Sequence, residues 1–166
     1  MKISNQIDTL KWHPGRRWST RDLTRINKII IHQEMADGNV EIVNKYHIRP
    51  NHISPLGCPH FCYHYGIEKT GEIIQANELN HITWHTTGQN DAGIGIMLAG
   101  NFAGPGHEKN TVKPSKAQLY SLDELSNNLL EAFGLSSLDL FGHYHFGKTA
   151  CPGYVIQDWI EKRRIG

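Results

Sequence analysis

Two short runs in this chain carry almost no polar side chain. Ile29-Ile30-Ile31, entered through Lys28, is β-branched throughout, and Gly93-Ile94-Gly95-Ile96-Met97-Leu98-Ala99-Gly100 is its counterpart further on. Runs this short and this apolar read as buried central strands, since a strand with one wet face alternates polar and apolar residues. The glycines of the second run leave room for something to pack closely on it. A sheet buried in this way needs helices over it. The clearest one starts at Ser115, which caps it in a box with Gln118. Leu119, Leu122, Leu125, Leu129, Leu130 and Phe133 then follow at helical spacing, and Gly134 ends it.

The remaining elements are shorter. Glu41 to Ile48 is weakly helical and ends before Pro50, and the stretch through Pro55, Gly57 and Pro59 is loop. Cys62–Glu68 and Glu72–Gln75 flank Lys69-Thr70-Gly71, a hairpin signal. A strand is expected over Leu138–Phe141 and a closing helix over Tyr154–Arg163, whose last turn is basic as the helix dipole favours. Residues 1–26 read as an irregular arm laid over a single domain formed by residues 27–166. The fold class is therefore α/β, a mixed central β-sheet flanked by helices.

Composition closes off several functions. With 166 residues, 39% hydrophobic and 20% charged, the chain can bury a core and is neither fibrous nor disordered. A formal charge of +1 gives no field that draws it to nucleic acid or an anionic membrane. No run approaches the ~20 apolar residues of a membrane span. The N-terminal residues show no apolar signal segment, which points to synthesis in the cytoplasm. Three cysteines are too few for a disulfide framework. Eleven histidines are an excess, and histidine is both a metal ligand and a proton shuttle near neutral pH.

The histidines and cysteines suggest where chemistry sits. Gly142-His143-Tyr144-His145-Phe146-Gly147-Lys148-Thr149-Ala150-Cys151-Pro152-Gly153 puts a His at a strand end and a Cys eight residues on, before a helix. Imidazole with thiolate is an ordinary zinc set, although a surface His and a small buried Cys would show the same spacing. His32 ends the Ile29–Ile31 strand, and in open α/β sheets sites gather at strand ends. Three ligands, His32, His143 and Cys151, are the number a catalytic zinc needs when its fourth position stays open.

In order along the chain stand Ile29-Ile30-Ile31-His32, Tyr63-His64-Tyr65-Gly66-Ile67 with Gly71, Trp84-His85, Gly93-Ile94-Gly95-Ile96 running to Gly100-Asn101-Phe102, and Gly142-His143 with Cys151-Pro152-Gly153. This order resembles the type-2 N-acetylmuramoyl-L-alanine amidases, a group that includes short phage zinc amidases and the peptidoglycan recognition proteins. The resemblance runs from about residue 27 to residue 162. It implies a single-zinc amidase fold with His32, His143 and Cys151 as ligands, Tyr63 as the catalytic tyrosine and His85 as a groove residue that binds substrate. It implies hydrolysis of the amide between N-acetylmuramic acid and L-alanine in peptidoglycan, by a monomer released to the cell wall as a phage or prophage endolysin. A non-hydrolytic peptidoglycan-binding or regulatory protein and a muropeptide-recycling amidase are the alternatives on the same fold.

Three positions depart from the resemblance. Position 149 is Thr where the phage enzymes carry Lys, so Thr149 is the expected hydrogen-bond donor to the oxyanion. Neighbouring Lys148 is expected to point elsewhere because it is offset by one residue. Position 145 is His where an acidic residue is usual, and on an extended backbone His145 would share a face with His143 and rival it as a ligand. Position 97 is Met where the recycling amidases carry a catalytic Glu. Tyr65 is expected on the same face as Tyr63 and is the better candidate of the two for a cross-strand packing aromatic. Cys58 and Cys62 read as two buried thiols, with a loop disulfide loosely like that of the recognition proteins, or a second zinc shared with His60 and His64, as alternatives.

Overall fold

The computed structural model describes residues 1–35, 38–104, 112–148 and 150–165. Six strands, β1 (Ile3–Asn5), β2 (Lys28–Gln33), β3 (Tyr65–Ile67), β4 (Ile73–Gln75), β5 (Gly93–Leu98) and β6 (Leu140–Gly142), form one sheet in the order β1-β4-β3-β5-β2-β6. Only the β3–β4 hairpin is antiparallel, so the sheet is mixed, as its sequence predicts. Gly71 turns that hairpin at φ +87°, which an L side chain would resist. The two apolar runs are the long central pair: β2 and β5 lie in parallel register from Lys28↔Gly93 to Gln33↔Leu98.

Helices cover both faces. Ile29, Ile31, Ile94, Ile96 and Leu98 turn to one side, where they meet α2 (Lys116–Ala132) through Leu122, Leu125, Leu129 and Leu130, and α3 (Tyr154–Ile165) through Ile156 and Ile160. Each of these side chains, taken from water, stabilises the fold by roughly 1.5–3 kcal/mol. The Ser115–Gln118 capping box is present, both of its hydrogen bonds being 3.0 Å long. On the opposite face α1 (Val40–His47) packs Val40 and Val43 against Phe61, Ile74 and Met97. Gly66 permits this approach, since a Cβ there would lie 2.3 Å from Val40 Cγ2. Among the described residues no helix is long and apolar enough to cross a membrane.

The structure departs from the sequence reading in several places. The N-terminal arm is not wholly irregular: Ile3–Asn5 adds a parallel edge strand to β4. Further along, the His13 amide donates to the Pro59 carbonyl (2.8 Å) and the Trp18 indole to Asn77 Oδ1 (2.8 Å). The β6 strand starts two residues late, because Ser136 and Asp139 close a 3-10 turn over Ser137–Asp139. Residues 62–64 bend before β3 begins, which breaks the two-residue alternation. Tyr65 therefore joins the α2 side of the core and Tyr63 packs on the α1 side, so the two tyrosines do not share a face.

Candidate metal centre and active site

The C-terminal ends of β2 and β6 are neighbours in the sheet, with Ile31 opposite Gly142. His32 follows Ile31 on the α1 face, and His143 opens a 3-10 turn directly after β6. Cys151 returns to the same corner just before α3. The Nδ1 atoms of His32 and His143 are 3.1 Å apart, and Cys151 Sγ is 3.9 Å from His32 Nδ1. All three ligand atoms lie within 4.8 Å of one another, and no second group of this kind occurs among the described residues. Tetrahedral zinc with Zn–N near 2.0 Å and Zn–S near 2.3 Å needs ligand atoms roughly 3.3–3.7 Å apart. The donor set fits that ion; the two separations from His32 bracket that range, and holding zinc would draw the Cys151 sulfur closer.

Electrostatics favour the same use. Burial, then the neighbouring rings of His85 and His143, holds the His32 pKa well below the ordinary imidazole value. His143 is lowered to about 4 by burial and by the charge of Lys148. Both imidazoles are neutral near pH 7 and offer lone pairs. Burial pushes the Cys151 thiol up to about 12, against the Gln33 amide and the Lys148 charge, which pull it down. This thiol therefore keeps its proton until a cation replaces it.

His143 and Cys151 open onto a cleft of about 450 Å³ lined also by Tyr63, Glu34, Met35 and Lys148, with His32 buried beside them. The Tyr63 ring lies 4.9 Å from that of His32. Burial, and then the charge of Cys151, raises its pKa well above the usual phenol value, so the hydroxyl stays a donor. Lys148 corrects the expectation that its offset would aim it elsewhere: it lines this cleft, and its charge is felt by both His143 and Cys151. Thr149 lies outside the described residues.

Two histidines stand elsewhere than expected. The backbone at 143–146 is a 3-10 turn, not a strand, which removes the shared face on which His145 could rival His143. His145 instead takes the Gly142 amide on Nδ1 (3.2 Å) and places Nε2 3.4 Å from the Glu161 carboxylate. His85, expected on the groove, is 6% exposed and sits behind His32, with His85 Nδ1 3.2 Å from His32 Nε2. Cys58 and Cys62 are buried free thiols with sulfurs 3.0 Å apart. The nearby imidazoles are engaged with other groups, His60 with Asn77 and His64 with the Gly95 amide and the His81 carbonyl.

One residue of the site escaped the sequence reading. Gln33, 3% exposed, has a backbone amide that donates to Cys151 Sγ (3.4 Å). Its side chain donates to the Ala150 carbonyl and accepts from the Phe102 amide. It thereby ties the Cys151 loop to the end of β2. A lone Gln after an apolar strand carries no motif by which to find it.

The sequence profile of the family described as N-acetylmuramoyl-L-alanine amidase matches residues 22–154, a stretch holding His32, Tyr63, His143 and Cys151. The chain is 28% identical over 123 residues to peptidoglycan-recognition protein SC2 of Drosophila melanogaster, covering 74% of this chain and 62% of that protein. It is 27% identical over 103 residues to the endolysin of Escherichia phage T7, covering 62% of this chain and 66% of that one. These matches thus span less than two thirds of either relative's length. N-acetylmuramoyl-L-alanine amidase LysC from Clostridium intestinale URNW shares the fold, with a TM-score of 0.73 at 23% identity over 98% of this chain and 96% of that one. On a profile match that runs through most of its length, the chain belongs to the N-acetylmuramoyl-L-alanine amidase family.

Proposed function

We propose that this chain is a zinc-dependent N-acetylmuramoyl-L-alanine amidase that cuts the amide between N-acetylmuramic acid and the L-alanine of the peptidoglycan stem, in the setting of phage or prophage lysis. The observation that carries this reading is the convergence of two neutral imidazoles and one thiol at the edge of a cleft lined by His143, Cys151 and Tyr63, whose phenol stays neutral. His32, His143 and Cys151 would hold the ion, leaving a fourth position to the cleft. When bound, zinc supplies Lewis acidity, which polarises a carbonyl and brings the pKa of water near 7.

The chain's own groups account for the rest. Tyr63 donates its O–H toward the carbonyl oxygen of the scissile amide, and its burial keeps it from ionising. Lys148 places a positive charge at the cleft where negative charge develops. The segment that carries Cys151 also has Thr149 in its sequence, which is assigned the role of hydroxyl donor by residue type alone. Gln33 holds that loop against the strand end, so the ligands need little reorganisation. A muropeptide-recycling role is disfavoured by position 97: Met97 is fully buried in the α1-side core and supplies no carboxylate. A purely binding role is disfavoured by Cys151, since a binder needs no open three-ligand site.

Incubation of the protein with purified peptidoglycan should release new L-alanine amino termini and no new reducing ends. About one zinc per chain should copurify, and His143→Ala and Cys151→Ala should each remove metal and cleavage together. Metal retained in both variants, or cleavage without it, overturns the reading.

A further inference from the structure

His85 is enclosed more tightly than a substrate contact would require. Its ring lies over two strand glycines: a Cβ at Gly95 would fall 2.7 Å from His85 Cγ, and a Cβ at Gly93 would fall 3.1 Å from His85 Cε1. Gly93 and Gly95 lie in β5 beside β2, on the face that carries His32. The glycine alternation in this strand thus makes room for one imidazole. Its Nε2 is 3.3 Å from the Gly93 carbonyl, its Nδ1 3.2 Å from His32 Nε2.

The protons follow from what each partner can do. A carbonyl only accepts, so His85 Nε2 carries the hydrogen and His85 Nδ1 carries a lone pair. That lone pair faces His32 Nε2, which must then be the donor. His32 Nδ1 is left unprotonated, and it is this atom that faces His143 Nδ1 and Cys151 Sγ. The Thr86 hydroxyl, 3.1 Å from His85 Nδ1 and 3.4 Å from His32 Nε2, can donate or accept and so does not choose a tautomer. The Gly93 carbonyl is itself fixed. It also accepts from Nη1 of Arg21 (2.9 Å), a residue 7% exposed whose guanidinium further donates to the carbonyls of Leu79 (3.1 Å from Nε) and Asn90 (2.9 Å).

We propose that His85 is a positioning residue of the metal centre, which holds His32 in the Nε2–H tautomer so that Nδ1 is presented to the ion, and that Gly93 and Gly95 are glycines to seat it. Arg21 anchors this relay from the N-terminal arm, through the Gly93 carbonyl. The inference rests on the metal reading above, but the tautomer can be read without metal. Outer partners of ligating histidines typically contribute 10–100-fold in metal affinity.

The test uses the full chain, stripped of metal, with nitrogen–proton correlation spectra of the imidazoles and zinc affinity by chelator competition. In the unsubstituted protein the His32 proton should reside on Nε2. His85→Ala should let both His32 tautomers appear and weaken zinc roughly tenfold or more. Gly95→Ala, which displaces an intact His85 ring, should do the same. His85→Asn, whose Oδ1 replaces the Nδ1 acceptor, should keep the tautomer and most of the affinity. A His32 proton on Nδ1 in the unsubstituted protein overturns the proposal without any variant. So does a His85→Ala protein with unchanged tautomer or with zinc affinity within about twofold of its parent, or a His85→Asn protein as impaired as His85→Ala. Absence of zinc binding in the unsubstituted protein would remove the metal reading instead, and the metal-free tautomer would still decide the role of His85.

Discussion

Acid should unfold this protein through histidines that never touch the cleft. His47 is buried, with Nδ1 accepting the Cys62 amide (3.0 Å), and burial plus the nearby His52 and His60 lowers its pKa to about 3. His64 is held well below the ordinary value by burial, with the charges of His85 and Arg21 adding to it. Below pH 6.5 the unfolded chain protonates these rings and the folded chain does not, so stability is lost as pH falls. Each ring should remove about 1.4 kcal/mol per pH unit, or about 2 kcal/mol between pH 7 and pH 5. The pair then costs about 4 kcal/mol, a large part of the roughly 5–15 kcal/mol that a domain possesses. His47→Asn keeps an acceptor for the Cys62 amide but cannot titrate. Urea unfolding at pH 7, 6 and 5, at matched metal loading, should show its slope with pH reduced by about 1.4 kcal/mol per unit relative to the parent. Equal slopes in the two proteins would refute the claim that His47 is folded as a neutral ring.

Three further variants test the proposed site and the fold. Tyr63→Phe should retain zinc and fold yet slow amide cleavage roughly 100-fold, and full turnover would reduce Tyr63 to packing. Thr149→Val should keep metal and lose roughly ten- to a hundredfold in rate if its hydroxyl donates to the oxyanion, whereas unchanged cleavage of peptidoglycan would make the position structural. Gly66→Ala forces a Cβ toward Val40 and should destabilise by roughly 1–3 kcal/mol, visible as a lower urea midpoint. An unshifted midpoint would mean that α1 gives way freely.

What could be read from the residues alone depended on how local the physics was. The α2 helix announces itself because its cap, its leucine stripe and its terminating Gly134 all lie within twenty residues and agree. The His32, His143 and Cys151 set was legible because strand ends and metal chemistry constrain it from two directions. Strand β1 was not legible: Ile3–Asn5 has no propensity of its own and is ordered by pairing with Ile73–Gln75, seventy residues away. The faces of Tyr63, Tyr65 and His145 were misjudged for one reason, the assumption that an extended backbone continues through a bend or a 3-10 turn. The glycines of β5 did signal close packing, but which ring fills the space depends on where residues 84–86 fold back, and no pattern in the chain encodes that.

The sheet order also bears on how the protein comes to be loaded. The central strand β2 lies between β5 and β6, and the ligand contacts of His32 span 111 and 119 residues of sequence. A chain synthesised only as far as Leu98 has five of its six strands and one of its three ligands. Contacts this distant along the chain form late, after the loop-closure cost has been met by the sheet itself. A metal held by these three residues could not serve as a nucleus for folding; it would arrive at a corner that sheet closure has already assembled. On the zinc reading proposed above, its stabilisation would fall on the escape from the native state, so that added zinc should lengthen the lifetime of the folded protein while leaving the refolding rate nearly as it was.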